Sequence, residues 1–184
     1  MMHPLLSAAL REAEPVMAIE AIWGELPLRI SAYTTTPQLP LELISSVRCI
    51  VRVGQQVVVC ENADGVQHPW PGGRREAGES FADTAAREVH EETGWLIDRE
   101  SLRQLGWLRL THLRPLPPGG RGPYPDFLQV VFTATATKRD GDQGQPWTDL
   151  DGYEVAWRLA TLDEAAAASS RDELARVFLA LLRE

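Results

Sequence analysis

Residues 71–95 read PGGRREAGESFADTAAREVHEETGW, and their spacing predicts a glycine turn that feeds one amphipathic helix. Phe81, Ala82, Ala85, Ala86 and Val89 recur at intervals of three and four and make an apolar face. Ser80 is placed to cap the helix with Asp83 three residues on, and Gly94 to close it just past its end. On the opposite face Glu88, Glu91 and Glu92 stand at i, i+3 and i+4. Like charges at such spacings oppose each other by about 0.2–0.5 kcal/mol per pair, and acids in the last turns also meet the negative end of the helix dipole. Arg87 can pair with Glu91, but one guanidinium cannot neutralise three carboxylates. A cluster of hard oxygen ligands suits Mg²⁺ or Mn²⁺ shared with substrate phosphates, and the competing reading is a solvated acidic face. His90 points away from the three acids and reads as an exposed side chain.

The glycines ahead of the helix shift the balance toward a cation. Gly72 and Gly73 after Pro71 permit a tight turn and a close backbone approach, which brings a carbonyl toward the acidic face. The spacing from Gly73 to Gly78 matches that of a phosphate-binding P-loop, but Glu79 stands where that loop needs Lys, so the P-loop reading fails on charge.

Outward from this segment, residues 5–14 read as a short helix and 23–33 as strand or extended chain. Two β-rich runs, 47–53 and 56–61, join around Gly54 as a hairpin, with a turn at 62–65. Further strands are expected at 102–110, 128–137 and 153–159, and a stiff irregular loop at 114–126, where five prolines and three glycines fall. The end is predicted helical, with Ser170 and Glu173 as a capping box and Leu174, Val177, Phe178, Leu181 and Leu182 as the buried stripe. Cys49 and Cys60 sit in apolar runs and read as small buried hydrophobes.

The 184 residues suffice for one core, so 1–184 is expected to be a single domain, with 1–45 an N-terminal extension on a core of about 46–184. With 18 basic and 26 acidic side chains the net charge is −8, which excludes a broad surface for nucleic acid or anionic membrane. Neither a membrane span nor a secretory signal is evident, and a cytoplasmic protein is expected.

From Gly73 onward the chain resembles the Nudix box, G-x5-E-x7-R-E-U-x-E-E-x-G-U with U aliphatic, through Gly73, Glu79, Arg87, Glu88, Val89, Glu91, Glu92 and Gly94. Pro71, Gly72 and Glu76 match the usual opening, and Trp95 departs from the pattern as a bulky apolar residue in the last position. The resemblance extends to residues 47–61 as the paired strands before the box and to YEVAWRLATLDEA at 153–165 as a later strand entering the final helix. It implies an α+β fold, the Nudix-type α/β/α sandwich around a mixed central β-sheet.

It also implies a hydrolase acting on a phosphoanhydride in a nucleoside diphosphate linked to another moiety, with Mg²⁺ (or Mn²⁺) as cofactor. By position, Glu88, Glu91 and Glu92 are metal ligands together with the Gly73 carbonyl, and Glu79 binds a further metal or braces the loop. Arg87 orients the glutamates, and Arg87, Glu88 and Glu92 form the catalytic set. The general base is either Glu88 or an acid from elsewhere. Asp151 and Glu154 are candidates for extra acids, although solvated loop residues are their more ordinary reading.

Trp70 and Asp151 are carried as substrate-binding residues. Trp70, His68, Trp107, Tyr124 and Trp147 are each able to stack on a base, but packing is the commoner role of such rings. Thr111 to Leu113 stand where many ADP-ribose hydrolases carry a proline and many diadenosine polyphosphate hydrolases a tyrosine, which disfavours both substrates. The partner is thus a small nucleoside diphosphate derivative, with no extended nucleic acid and no membrane, and a homodimer stays open. The alternatives are a Nudix-like domain that binds a nucleotide sugar without cleaving it, and a non-catalytic cation-binding fold.

Overall fold

The computed structural model describes residues 2–23, 26–117, 119, 122–140 and 152–183. The hairpin expected around Gly54 is present as β3 (Ile44–Val53) and β4 (Gln56–Asn62), with Gly54 in the left-handed conformation that its turn demands. Among the described residues the two strands pair only at Arg52–Val57 and Val53–Gln56, and then part. β5 (Gln67–His68) lines β4 in the gap, and residues 71–75 run beside β3. This parting of β3 and β4 gives the glycine-rich segment its place at the centre of the fold.

The sequence begins with α1 (Pro4–Glu12) and a hairpin of β1 (Met17–Trp23) and β2 (Leu26–Tyr33), so the strand expected at 23–33 is in fact the second arm of a pair. After the acidic helix α2 (Phe81–Thr93) come β6 (Trp95–Ile97), β7 (Arg103–His112), β8 (Asp126–Arg139), β9 (Glu154–Ala160), α3 (Leu162–Ala168) and α4 (Glu173–Ala180). The sheet order is β1-β2-β7-β8-β3-β4-β5, with β6 added on β8 and β9 on β4. Among the described residues only β3 and β8 run parallel, so the sheet is mixed.

One face buries Val47, Cys49, Val51, Trp107 and Val130 against Leu6 and Ala9 of α1 and Ala85 and Val89 of α2. The other buries Ile50, Val57, Val59, Leu108 and Val131 against Ala165 of α3 and Leu174, Phe178 and Leu179 of α4. Helices thus cover both faces, and the α/β/α sandwich is observed. Cys49 and Cys60 are buried as expected, and burial pushes the Cys49 thiol up to about 12. No described helix is long and apolar enough to cross a membrane.

One local expectation needs correction. Ser170 and Glu173 do not cap the last helix; Asp172 does, accepting the Ala175 amide at 3.0 Å. The capping box lies one helix earlier, where Thr161 and Glu164 exchange hydrogen bonds at the start of α3. The terminal apolar stripe begins in a helix separate from α3, since α3 ends at Ala168 and α4 starts at Glu173.

Candidate active site

The local fold of the glycine segment follows from backbone hydrogen bonding to β3. Val47 N–H donates to the Gly73 carbonyl at 3.0 Å, Cys49 N–H to Pro71 at 2.9 Å and Arg75 N–H to Ser45 at 3.1 Å. A side chain at Gly72, whose φ is 148°, would overlap the Val47 carbonyl and lie 2.9 Å from the Arg48 Cα. A side chain at Gly73 would sit 2.7 Å from the Glu88 carboxyl carbon. Gly72 thus lets the segment press on β3, and Gly73 lets its backbone lie directly against the acidic helix.

α2 starts as predicted: Ser80 Oγ accepts the Asp83 amide at 3.1 Å, and Asp83 returns a bond to the Ser80 amide. Gly94 ends it in the left-handed conformation. His90, expected to be simply exposed, bonds Asp140 at 2.9 Å on the far side of the helix.

Arg87 is the hub of the acidic face. Its Nε donates to Glu79 at 2.7 Å, one terminal nitrogen to Glu88 at 2.8 Å and Glu91 at 3.0 Å, and the other to Glu79 and the Arg74 carbonyl. Glu79 also accepts from the Glu76 amide and the Thr84 hydroxyl, and this set, led by Arg87, holds its carboxyl down at about 2. The same bonds raise the Arg87 guanidinium above its ordinary value.

Glu88 and Glu92 behave in the opposite sense. Burial raises Glu88 despite the bond from Arg87. Glu92 goes up to about 8, chiefly through burial, with Glu154 and Glu88 adding repulsion against the relief from Arg48 and from the Gly72 amide at 3.0 Å. Two neighbouring carboxylates withdrawn from water are a costly arrangement in the bare protein.

Among the described residues no three His, Cys, Asp or Glu side chains close into a ready cation cage, because Arg87 occupies oxygens of Glu88 and Glu91 and the Gly72 amide one of Glu92. The donor set nevertheless suits a hard divalent ion. The three acids share one helix face, the ligands are oxygens, and burial raises two of the carboxyls, so a bound cation would offset a desolvation cost that Arg87 and Arg48 relieve only in part. The Gly73 carbonyl already accepts Val47 N–H and keeps one lone pair.

The structure brings Gly73, Glu79, Arg87, Glu88, Glu91 and Glu92 together. Trp70 is placed elsewhere: it is buried, tilted against Phe178 with ring centroids 5.9 Å apart, and its indole donates to Asp172. It anchors the segment to α4 and has no face open to a substrate. Trp107, also weighed as a stacking ring, is fully buried against Tyr33, while Tyr124 is half exposed beside His112. Asp151 and Trp147 lie outside the described residues.

Glu154, read as a solvated loop residue, is instead 4% exposed at the start of β9, its Oε1 2.8 Å from His68 Nε2. Sequence reasoning also passed over Arg48, whose guanidinium donates to the Gly72 carbonyl at 2.9 Å and eases both Glu88 and Glu92. Its signal was a cation in the apolar run 47–53, which also carries Arg52. A cavity of about 550 Å³ is lined by Gly73, Arg48 and Arg74 together with Trp23 and Phe127.

A family model described as the NUDIX domain matches residues 42–182. The mouse protein named nucleoside diphosphate-linked moiety X motif 6 is 32% identical over 113 residues, which is 60% of this chain and 34% of that protein. The chain thus spans about a third of the length of the curated relative it matches. Among solved structures, a NUDIX hydrolase from Nitrosomonas europaea aligns with TM-score 0.55 at 21% identity, covering 74% of this chain and 86% of its own. A mutant of the Bacillus subtilis pyrophosphohydrolase BsRppH aligns with TM-score 0.52 at 20% identity, covering 72% of each chain. These two likenesses are of fold.

Proposed function

The chain belongs to the Nudix family, and from that premise we propose that it is a divalent-cation-dependent hydrolase of a phosphoanhydride in a nucleoside diphosphate linked to another moiety. The observation that carries this reading is the Arg87 hub, which gathers Glu79, Glu88 and Glu91 beside the glycine backbone while Glu92 stays buried. The name of the mouse relative speaks for the same substrate class.

Glu88, Glu91 and Glu92, with the Gly73 carbonyl, would hold Mg²⁺ or Mn²⁺, and Glu79 braces the loop through Arg87 or takes a further ion. Such an ion supplies charge neutralisation at the phosphate oxygens and acidifies a bound water. The chain's own residues do the positioning. Arg87 fixes the rotamers of three carboxylates at once, and its fork cannot be replaced by a point charge. Gly72 and Gly73 let the main chain pass between β3 and the Glu88 carboxylate, which brings the Gly73 carbonyl to the acidic face. Arg48 and Arg74 bring local positive charge to a cavity wall in a protein of net charge −8. Glu88 or the buried Glu154 accepts the proton of the attacking water. Its oxygen bonds phosphorus, the anhydride oxygen departs with the other phosphate, and the proton passes to the base.

The whole chain acts as one domain in this proposal, with residues 1–45 an extension on a core of about 46–184. The pairing of β2 with β7 supports the single domain, and with Leu6 and Ala9 in the core it joins residues 1–45 to the same sheet and core. A cytoplasmic location belongs to the same proposal.

The test is a substrate screen of the full chain with Mg²⁺ or Mn²⁺ against nucleoside triphosphates, nucleotide sugars, dinucleoside polyphosphates and CoA, detecting phosphate or pyrophosphate. Turnover of at least one class, nearly abolished by Glu92→Gln, is expected. Nucleotide binding without release of any product would instead identify a non-catalytic binding domain.

A further inference from the structure

β9 enters the sheet with a fault in its register. Glu61 stands opposite Ala156 and Asn62 opposite Glu154, so Val155 is an extra residue with no partner across the pair. An unbroken register would set Val155 opposite Asn62 and turn Glu154 to the other face of the sheet. The bulge reverses this: Val155 is 53% exposed, while Glu154 is buried beside Asn62, close enough to Glu92 for the two charges to repel.

Two further contacts hold that placement. The Asn62 amide donates to the Tyr153 hydroxyl at 3.2 Å and Ala63 N–H to the Tyr153 carbonyl at 3.0 Å, which clamps the residue before Glu154. His68, in β5, meets Glu154 itself, with Nε2 2.8 Å from Oε1. A carboxylate only accepts, so Nε2 carries the proton and donates. The other ring nitrogen, Nδ1, is buried and has no hydrogen-bond partner among the described residues.

A buried acid is costly where packing is the only requirement, and an apolar pair would join β5 to β9 at less cost. A bulge, a clamp and a histidine directed at one carboxylate instead describe a group that is being oriented. The kind of donor also matters. Arg87 brings a fixed positive charge to Glu79, whose carboxyl is held at about 2, and a carboxylate so stabilised is a weak base. An imidazole fixes direction without requiring a full charge.

We infer that His68 is a positioning residue for the proposed hydrolysis, orienting Glu154 through the Nε2–H bond to take the proton of the attacking water. The water oxygen bonds phosphorus, its proton passes to Glu154, and the anhydride oxygen leaves with the other phosphate. The inference rests on the proposed function and deepens it, because it selects Glu154 over Glu88, which Arg87 already engages.

Two measurements test it together: steady-state kinetics in Mg²⁺ with the nucleoside diphosphate derivative that the full chain turns over fastest, and nitrogen NMR of the isotopically labelled, metal-free chain. Glu154→Gln should lower kcat about 100-fold or more. The side-chain nitrogen of glutamine falls where Nε2 stands, whereas that of asparagine stops short, near the place of Nδ1. His68→Asn should therefore lower kcat about 10–100-fold at nearly constant KM, and His68→Gln should recover most of the loss. Combined with Glu154→Gln, His68→Asn should add almost nothing, because both changes act on one carboxylate. By NMR the proton of His68 should sit on Nε2 and shift in Glu154→Gln.

An unchanged kcat in His68→Asn or Glu154→Gln would overturn the inference. So would a His68→Asn loss that persists undiminished in the Glu154→Gln background, appears in KM alone, or is equalled by His68→Gln. A proton found on Nδ1 with Nε2 bare would do the same. A chain that turns over nothing, yet whose Nε2–H still responds to Glu154→Gln, counts against the hydrolase reading and not against the His68–Glu154 pair.

Discussion

Glu92→Gln should make the metal-free protein more stable at alkaline pH. The Glu92 carboxyl is raised from 4.5 to about 8, chiefly by burial, so the folded state holds a proton that the unfolded chain releases. The sign follows: wild-type stability is fully present below about pH 4.5 and falls as pH rises toward 8, where the cost levels off. At about 1.4 kcal/mol per pH unit the nominal cost is about 5 kcal/mol above pH 8, and relaxation with water entry brings a realistic figure to about 2–3 kcal/mol.

Glutamine keeps an oxygen for the Gly72 amide and removes the charge. In a chain of this length, 2–3 kcal/mol corresponds to about 4–12 °C in Tm. Calorimetric scans in EDTA at pH 8.5 and pH 5 should show the variant melting higher at pH 8.5 and the two proteins nearly coinciding at pH 5. Mg²⁺ with nucleotide should raise the wild-type Tm at pH 8.5 and do so much less for the variant. A metal-free variant that melts at or below wild type at pH 8.5 would refute the reasoning, because Glu92 would then be satisfied in the bare protein.

Other outcomes follow from the same geometry. Arg87→Ala should lower activity at least about 100-fold and cost roughly 2–3 kcal/mol in urea denaturation, because two or more charge-assisted bonds are lost at once. Arg87→Lys should recover little of either, since an ammonium cannot span Glu79, Glu88 and Glu91 together. In wild type the carboxyl of Glu79, held at about 2, contributes stability above its unfolded value of 4.5 that is lost as pH falls toward 2; acid titration of Arg87→Ala should lack that component. Gly72→Ala should destabilise by more than about 2 kcal/mol, since its methyl meets backbone, whereas Gly73→Ala meets the movable Glu88 side chain and should impair turnover more than melting. Glu88→Gln should cut the rate steeply while circular dichroism and Tm show the fold retained; unchanged kinetics would remove it from the site.

The parts legible in sequence were those written in local spacing. Ser80, Gly94 and the three acids of α2 depend only on helical period and caps, and each sits where that period places it. The hairpin around Gly54 was equally local. What escaped notice depends on long-range contact. Glu154 meets His68 across 86 residues, and neither position carries a pattern that announces the other. Arg48 looks like an ordinary polar break in a β run until residues 71–75 are laid beside β3. Trp70 appeared free to stack because nothing nearby predicts that Phe178 and Asp172 will claim it. Ser170 fits the capping pattern, but Asp172 wins by standing directly before Glu173, where its carboxylate reaches the Ala175 amide.

The β1–β2 hairpin has a practical consequence. β2 pairs along β7 from Leu28–His112 to Tyr33–Trp107. A fragment trimmed to begin at residue 42 would strip that partner, leaving a row of main-chain donors and acceptors bare on a long apolar strand. Such fragments are expected to self-associate through strand addition and to misreport the solubility of the intact chain.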